Sequence, residues 1–104
     1  MKRIILDENL PQPLRHEFSD YDVVTVGFMG WSGIQNGDLI KVIDGEFDIF
    51  ITGDHNLRYQ QNLKERIISI IEVPHTRLDQ LRPMLEQIKE AIEMSVAGSY
   101  TQIK

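Results

Sequence analysis

Two stretches place carboxylates where apolar runs stop. IILDENL, residues 4–10, and FITGDHNL, residues 50–57, share one grammar: apolar residues, then Asp, then any residue, then Asn-Leu. Two or three convergent carboxylates repel one another, and a hard divalent cation such as Mg²⁺ or Mn²⁺ relieves that repulsion. Such a cation can also orient and activate water for attack on a phosphodiester. Asp7, Glu8 and Asp54, with Asp38 farther along, form the oxygen-ligand set that this chemistry needs. The competing explanation is helix capping, since Asp is a favoured cap. Asn9 and Asn56 stand nearer each helix start and can take that role, which leaves Asp7 and Asp54 for a ligand. For Asp38, after Asn36-Gly37 in a first helical turn, stabilisation by the helix dipole is as good an account as ligation. Glu8 can equally point to solvent.

His55, Asn56 and Arg58 adjoin the second stretch. His55 can ligate a metal or shuttle protons, although a loop histidine is usually just solvated. Arg58, one turn beyond Asp54, can hold a phosphate or pair with a carboxylate. Phe28 and Trp31, in a glycine-rich loop, can stack on a base, and loop aromatics in small domains also plug cores. His16 and His75 have no chemical neighbours in sequence and are expected on the surface. Gln60, Gln61 and Asn62 are expected to face solvent or the loops around the site.

The elements that must position these groups alternate. RIIL (3–6) is a short β-type run, and Leu10, Leu14 and Phe18 follow at the four-residue spacing of one helix face. YDVVTV (21–26) predicts a second strand, followed by a loop, and Asn36 is placed to cap a helix carrying Leu39, Ile40 and Ile43 that stops near Gly45. FDIFIT (47–52) predicts the third strand, and Asn56 caps a helix from Leu57 to about Lys64. IISIIEV (67–73) suits a strand covered on both faces. Leu78, Leu81, Leu85, Ile88 and Ile92 mark a long amphipathic helix that Pro83 kinks or restarts, and SYTQI suits a last strand. Strand alternating with helix predicts an α/β three-layer sandwich with a mostly parallel sheet of four to five strands. The common order 2-1-3-4 makes strands 1 and 3 neighbours, and ligands bind beyond their carboxyl ends at that switch point. Asp7 and Asp54 are the first acids past those ends.

At 104 residues the chain is expected to be a single domain spanning residues 1–104. No apolar run approaches the ~20 residues that cross a bilayer, and the start is too acidic for a signal peptide, so a cytoplasmic protein without membrane contact is expected. The absence of cysteine excludes disulfides, thiolate zinc sites and thiol nucleophiles, so any metal must sit on oxygen or imidazole. The net charge of −5 argues against broad electrostatic capture of nucleic acid, although residues 57–82 hold five basic against three acidic side chains. No Walker A, G-x-S-x-G or G-x-G-x-x-G sequence is present.

ILDENLP, NGDLI and IFITGDHNL together resemble the PIN-like (PilT N-terminal-like) family, especially compact members that open with an LLDENLP-type phrase; the similarity runs over roughly residues 3 to 73. DHNLRYQQNL is similar to a subgroup in which D-x-N-L-x-Y-Q-Q-N-L replaces the commoner T-x-D-x-D-F. The resemblance implies a Rossmann-like sandwich and a Mg²⁺- or Mn²⁺-dependent ribonuclease, often the toxin of a toxin–antitoxin pair. Asp7, Asp38 and Asp54 then match the family's metal-binding acids, and Glu8 the acid beside the first. Asn56 departs from the pattern, because many relatives carry a second Asp there; an amide can coordinate through its carbonyl but brings one negative charge fewer.

RNA, an antitoxin protein and a second copy of the chain are therefore the expected partners. Two other functions fit the residues. A non-catalytic PIN-like interaction module would use the Phe28–Trp31 loop, as a homodimer or with a partner. A phosphoacceptor receiver domain would use Asp54, but receivers place Ser or Thr after strand 4 and Lys after strand 5, where this chain offers Thr76 and Lys104.

Overall fold

A computed structural model describes residues 2–59 and 66–104. Five short strands, β1 (Arg3–Leu6), β2 (Asp22–Thr25), β3 (Ile49–Thr52), β4 (Ser69–Glu72) and β5 (Tyr100–Gln102), form one sheet in the order β2-β1-β3-β4-β5. Every pairing is parallel. The class is α/β, and strands 1 and 3 are adjacent as the alternation predicts.

Both faces are covered, which is why β3 and β4 are buried at every position. On one face Ile4, Leu6, Ile49, Ile51 and Ile71 pack against Leu14, Phe18, Leu81, Ile88 and Ile92. On the other, Ile5, Phe50 and Ile70 pack against Leu39, Ile40 and Ile43 of α1 (Asn36–Ile43). The helix α1 stops where Gly45 takes a φ of 85°, near the predicted place.

Three elements differ in detail from expectation. The segment after β1 is a seven-residue 3-10 helix, Gln12–Phe18, because Pro11 and Pro13 cannot donate the hydrogen bonds an α-helical first turn would extend. Leu10 lies before it, yet all three predicted apolar residues are buried together. The C-terminal helix is interrupted at Pro83: α2 (Leu78–Leu81) passes through a 3-10 turn, Arg82–Met84, into α3 (Leu85–Met94). After β3 the described structure reaches a 3-10 turn at Leu57–Tyr59; the remainder of the predicted helix, with Gln60, Gln61 and Asn62, lies outside the described residues. No helix among the described residues is long and apolar enough to cross a membrane.

Candidate functional site

Asp7 leaves β1 on the α1 side, as alternation with Ile5 requires. Its backbone N–H still donates to Ile51 O at 2.9 Å, so the residue is fixed by the sheet although it lies beyond the strand. Its side chain is only 3% exposed. Oδ2 accepts the Thr52 hydroxyl at 2.6 Å and the Asn36 amide at 3.0 Å. Burial pushes the Asp7 carboxyl above its ordinary value, and the hydrogen bonds from Thr52 and Asn36 offset only part of that.

Asp54 follows β3 by two residues, and its N–H donates to the Thr52 hydroxyl at 2.9 Å. Oδ1 accepts the Asn56 N–H at 2.9 Å, while Oδ2 accepts the same Asn36 amide nitrogen at 3.0 Å. Asp54 therefore does both jobs that the sequence set against each other. One oxygen holds the turn into the Leu57–Tyr59 segment, and the other faces Asp7.

Asn36 is the residue whose expected role changes most. Gln35 occupies the position flanking α1 and makes no side-chain cap, and Asn36 spends its amide nitrogen on both carboxylates. Asn9 and Asn56 are not side-chain caps either: Asn9 Oδ1 accepts the Gly53 N–H at 3.4 Å, and the Asn56 N–H is itself held by Asp54. Thr52 and Asn36 are the members of this site that sequence reasoning missed. The signal for Thr52 was its place as the last residue of a strand that otherwise buries only apolar side chains.

An open crevice of about 300 Å³ is lined by Asp7, Glu8, Asn9, Gln35, Asn36 and Asp54. Glu8 is exposed, and both its oxygens lie 3.1 and 3.2 Å from the Gly33 N–H, so it ties down the loop before α1. Asp38 is exposed in the first turn of α1 and does not line the crevice, in keeping with the dipole account. Among the described residues no three Asp, Glu, His or Cys side chains gather closely enough to enclose a metal ion. The groups present, two carboxylates and the Asn36 amide, whose carbonyl a half-turn of the side-chain amide would bring inward in place of the NH2 now there, suit Mg²⁺. That ion commonly uses one or two carboxylates and fills its remaining positions with water and substrate phosphate.

His55 and Arg58 lie on the other side of Asp54, over β4 and β5. His55 Nδ1 is 2.9 Å from Glu72 Oε2, and Arg58 donates to Gln102 Oε1 at 2.6 Å. Of the loop aromatics, Trp31 packs edge-on to Phe47 with centroids 6.4 Å apart, and Met29 joins the same core, whereas Phe28 stays 75% exposed. Thr76 borders the Gly53 turn, and Lys104 lines a groove against α3 rather than the acidic crevice. His16 and His75 are exposed, as expected. No protein-family model matches the chain, and no curated protein or solved structure matches it either.

Proposed function

We propose that the crevice at the ends of β1 and β3 is the metal-binding centre of a Mg²⁺- or Mn²⁺-dependent ribonuclease of the PIN-like type. The observation that supports this reading is Asp7: a carboxylate buried to 3% exposure, facing a second carboxylate across one shared amide nitrogen. None of the ion pairs among the described residues brings a basic side chain to Asp7 or Asp54. The negative charge is thus left for a ligand to balance, at the switch point where parallel sheets bind ligands.

Asp7 and Asp54 are the residues that would hold the cation, with Asn36 turning its carbonyl toward it. A bound cation there supplies charge neutralisation for a phosphate and activation of a water nucleophile. The chain's own contribution is positional. Thr52 fixes both acids at once, accepting from the Asp54 N–H and donating to Asp7, and Glu8 anchors the loop that walls the crevice. The test is a Mn²⁺ titration alongside cleavage of an unstructured RNA. Binding below millimolar Mn²⁺ with metal-dependent cleavage is expected, and a chain that neither binds Mn²⁺ at millimolar concentration nor cuts RNA refutes the reading.

A further inference from the structure

Glu72 ends β4 in register with Thr52 on one side and Gln102 on the other. Although 1% exposed, its carboxylate is well partnered: Oε1 accepts the Tyr100 hydroxyl at 2.6 Å, and Oε2 lies 2.9 Å from His55 Nδ1 and 3.3 Å from Gln102 Nε2. A carboxylate only accepts, so Nδ1 of His55 must be the nitrogen that carries hydrogen. In the neutral ring Nε2 is then a lone-pair acceptor, and it belongs to a side chain that is 57% exposed. Glu72 thereby fixes which face of the imidazole chemistry is offered outward.

Arg58 and Tyr59 stand beside it. The Arg58 guanidinium bonds Gln102 and lies 5.0 Å over the Tyr59 ring, covering one face of a side chain that is 70% exposed. Among the described residues neither Arg58 nor Tyr59 belongs to a buried core cluster. Within five residues, starting one past Asp54, the chain presents an acceptor, a cation and an open aromatic face. Those are the groups that a nucleotide in a single strand uses: a base stacks on the ring, a phosphate meets the cation, and a 2′-hydroxyl donates to the acceptor.

We propose that His55, Arg58 and Tyr59 form a subsite for one ribonucleotide beside the acidic crevice, with the 2′-hydroxyl donating to His55 Nε2 and Glu72 and Gln102 acting as positioning residues. This rests on the ribonuclease reading for its substrate, and it makes His55 the residue that separates RNA from DNA.

The test is fluorescence anisotropy of the full chain without divalent cation, using single-stranded RNA, the same sequence as DNA, and a 2′-O-methyl RNA. Metal-free binding keeps the result independent of whether the crevice cleaves anything. Wild type is expected to prefer RNA by about three- to tenfold, the range of one hydrogen bond. The 2′-O-methyl strand, which keeps an acceptor but has no donor, should bind like DNA. His55→Ala should bring the RNA:DNA ratio to about one, and His55→Gln, which restores an acceptor, should recover part of the preference. Tyr59→Ala should weaken RNA and DNA alike by roughly tenfold, as loss of one stacked base does. For the positioning role, ¹⁵N spectra should show His55 as the Nδ1–H tautomer in wild type and a mixture in Glu72→Gln. Equal RNA and DNA affinity in wild type, a ratio unmoved by His55→Ala, or no binding of either strand overturns the subsite. Absent Mn²⁺-dependent cleavage with this preference intact overturns the ribonuclease reading alone.

Discussion

Asp7 and Glu72 are two buried carboxylates on the same edge and the same face of one sheet, two strands apart, and they are treated in opposite ways. Asp7 is held by a hydroxyl and an amide, both neutral, with Glu8 adding like charge, and its carboxyl is pushed up by burial. Burial also pushes the Glu72 carboxyl up, but hydrogen bonds from His55 and Tyr100, with charge on His55 and Arg58, outweigh it and hold the carboxyl below its ordinary value. Little solvent exposure therefore does not by itself distinguish the two carboxylates. They differ in counter-charge, which the described residues supply to Glu72 over β4 and β5 and not to Asp7 over β1 and β3.

The sharpest way to break this contrast is Asp54→Asn. Removing one of the two unbalanced acids should lower Mn²⁺ affinity and metal-dependent RNA cleavage by more than about 100-fold, beyond what loss of a merely supporting group does. Calorimetry and a gel assay read it; unchanged Mn²⁺ affinity would place the cation elsewhere.

Glu72→Gln attacks the balanced side and should cost about 1–3 kcal/mol in urea unfolding at neutral pH, the range for disrupting a buried charge-assisted network. Its pH dependence has a definite sign. A carboxyl lowered in the folded state adds stability above its ordinary 4.5 that disappears as pH falls through the folded value. The variant should lack that acid-side loss.

Asp7→Asn should do the reverse. A carboxyl raised above 3.8 in the folded state costs stability as pH rises through the interval between 3.8 and its folded value, because the native chain there binds more protons than the unfolded one. The neutral variant should be more stable by about 1–2 kcal/mol at pH 7 without metal, within the range for a poorly compensated buried polar group. It should also lose any rise in melting temperature with added Mn²⁺. A destabilised Asp7→Asn would mean that Thr52 and Asn36 already satisfy the charge.

Gly53 joins the two regions and carries the smallest effect. A Cβ there would stand 2.7 Å from Thr76 Cγ2, so Gly53→Ala should cost about 1 kcal/mol, and adding Thr76→Ser, which removes that methyl group, should restore most of it.

The sheet and the place of the acidic pair were legible because strand ends are set by local apolar runs, and Asp7 and Asp54 are the first acids past two of them. Partnerships across strands were not. Asn36 reads as a cap because Asn before a helix usually is one, and nothing local reveals that its amide crosses to two other segments. Glu72 was hidden inside IISIIEV for the same reason, since its partners come from the loop after β3 and from β5. The Gln12–Phe18 segment shows the complementary limit: spacing predicted which residues are buried, while the prolines decided the helix type.

The all-parallel pairing also has a kinetic side. A sheet without a hairpin has no two strands that can zip together across a tight turn, so each pairing waits for a loop and a crossover segment to close. Non-local pairing of this kind slows folding relative to helical bundles of similar size. Amide protons of β1, β3 and β4, which have partners on both sides, should exchange last, and those of the edge strands β2 and β5 early. The catalytic edge proposed above would then be assembled only when the slowest contacts of the chain are in place.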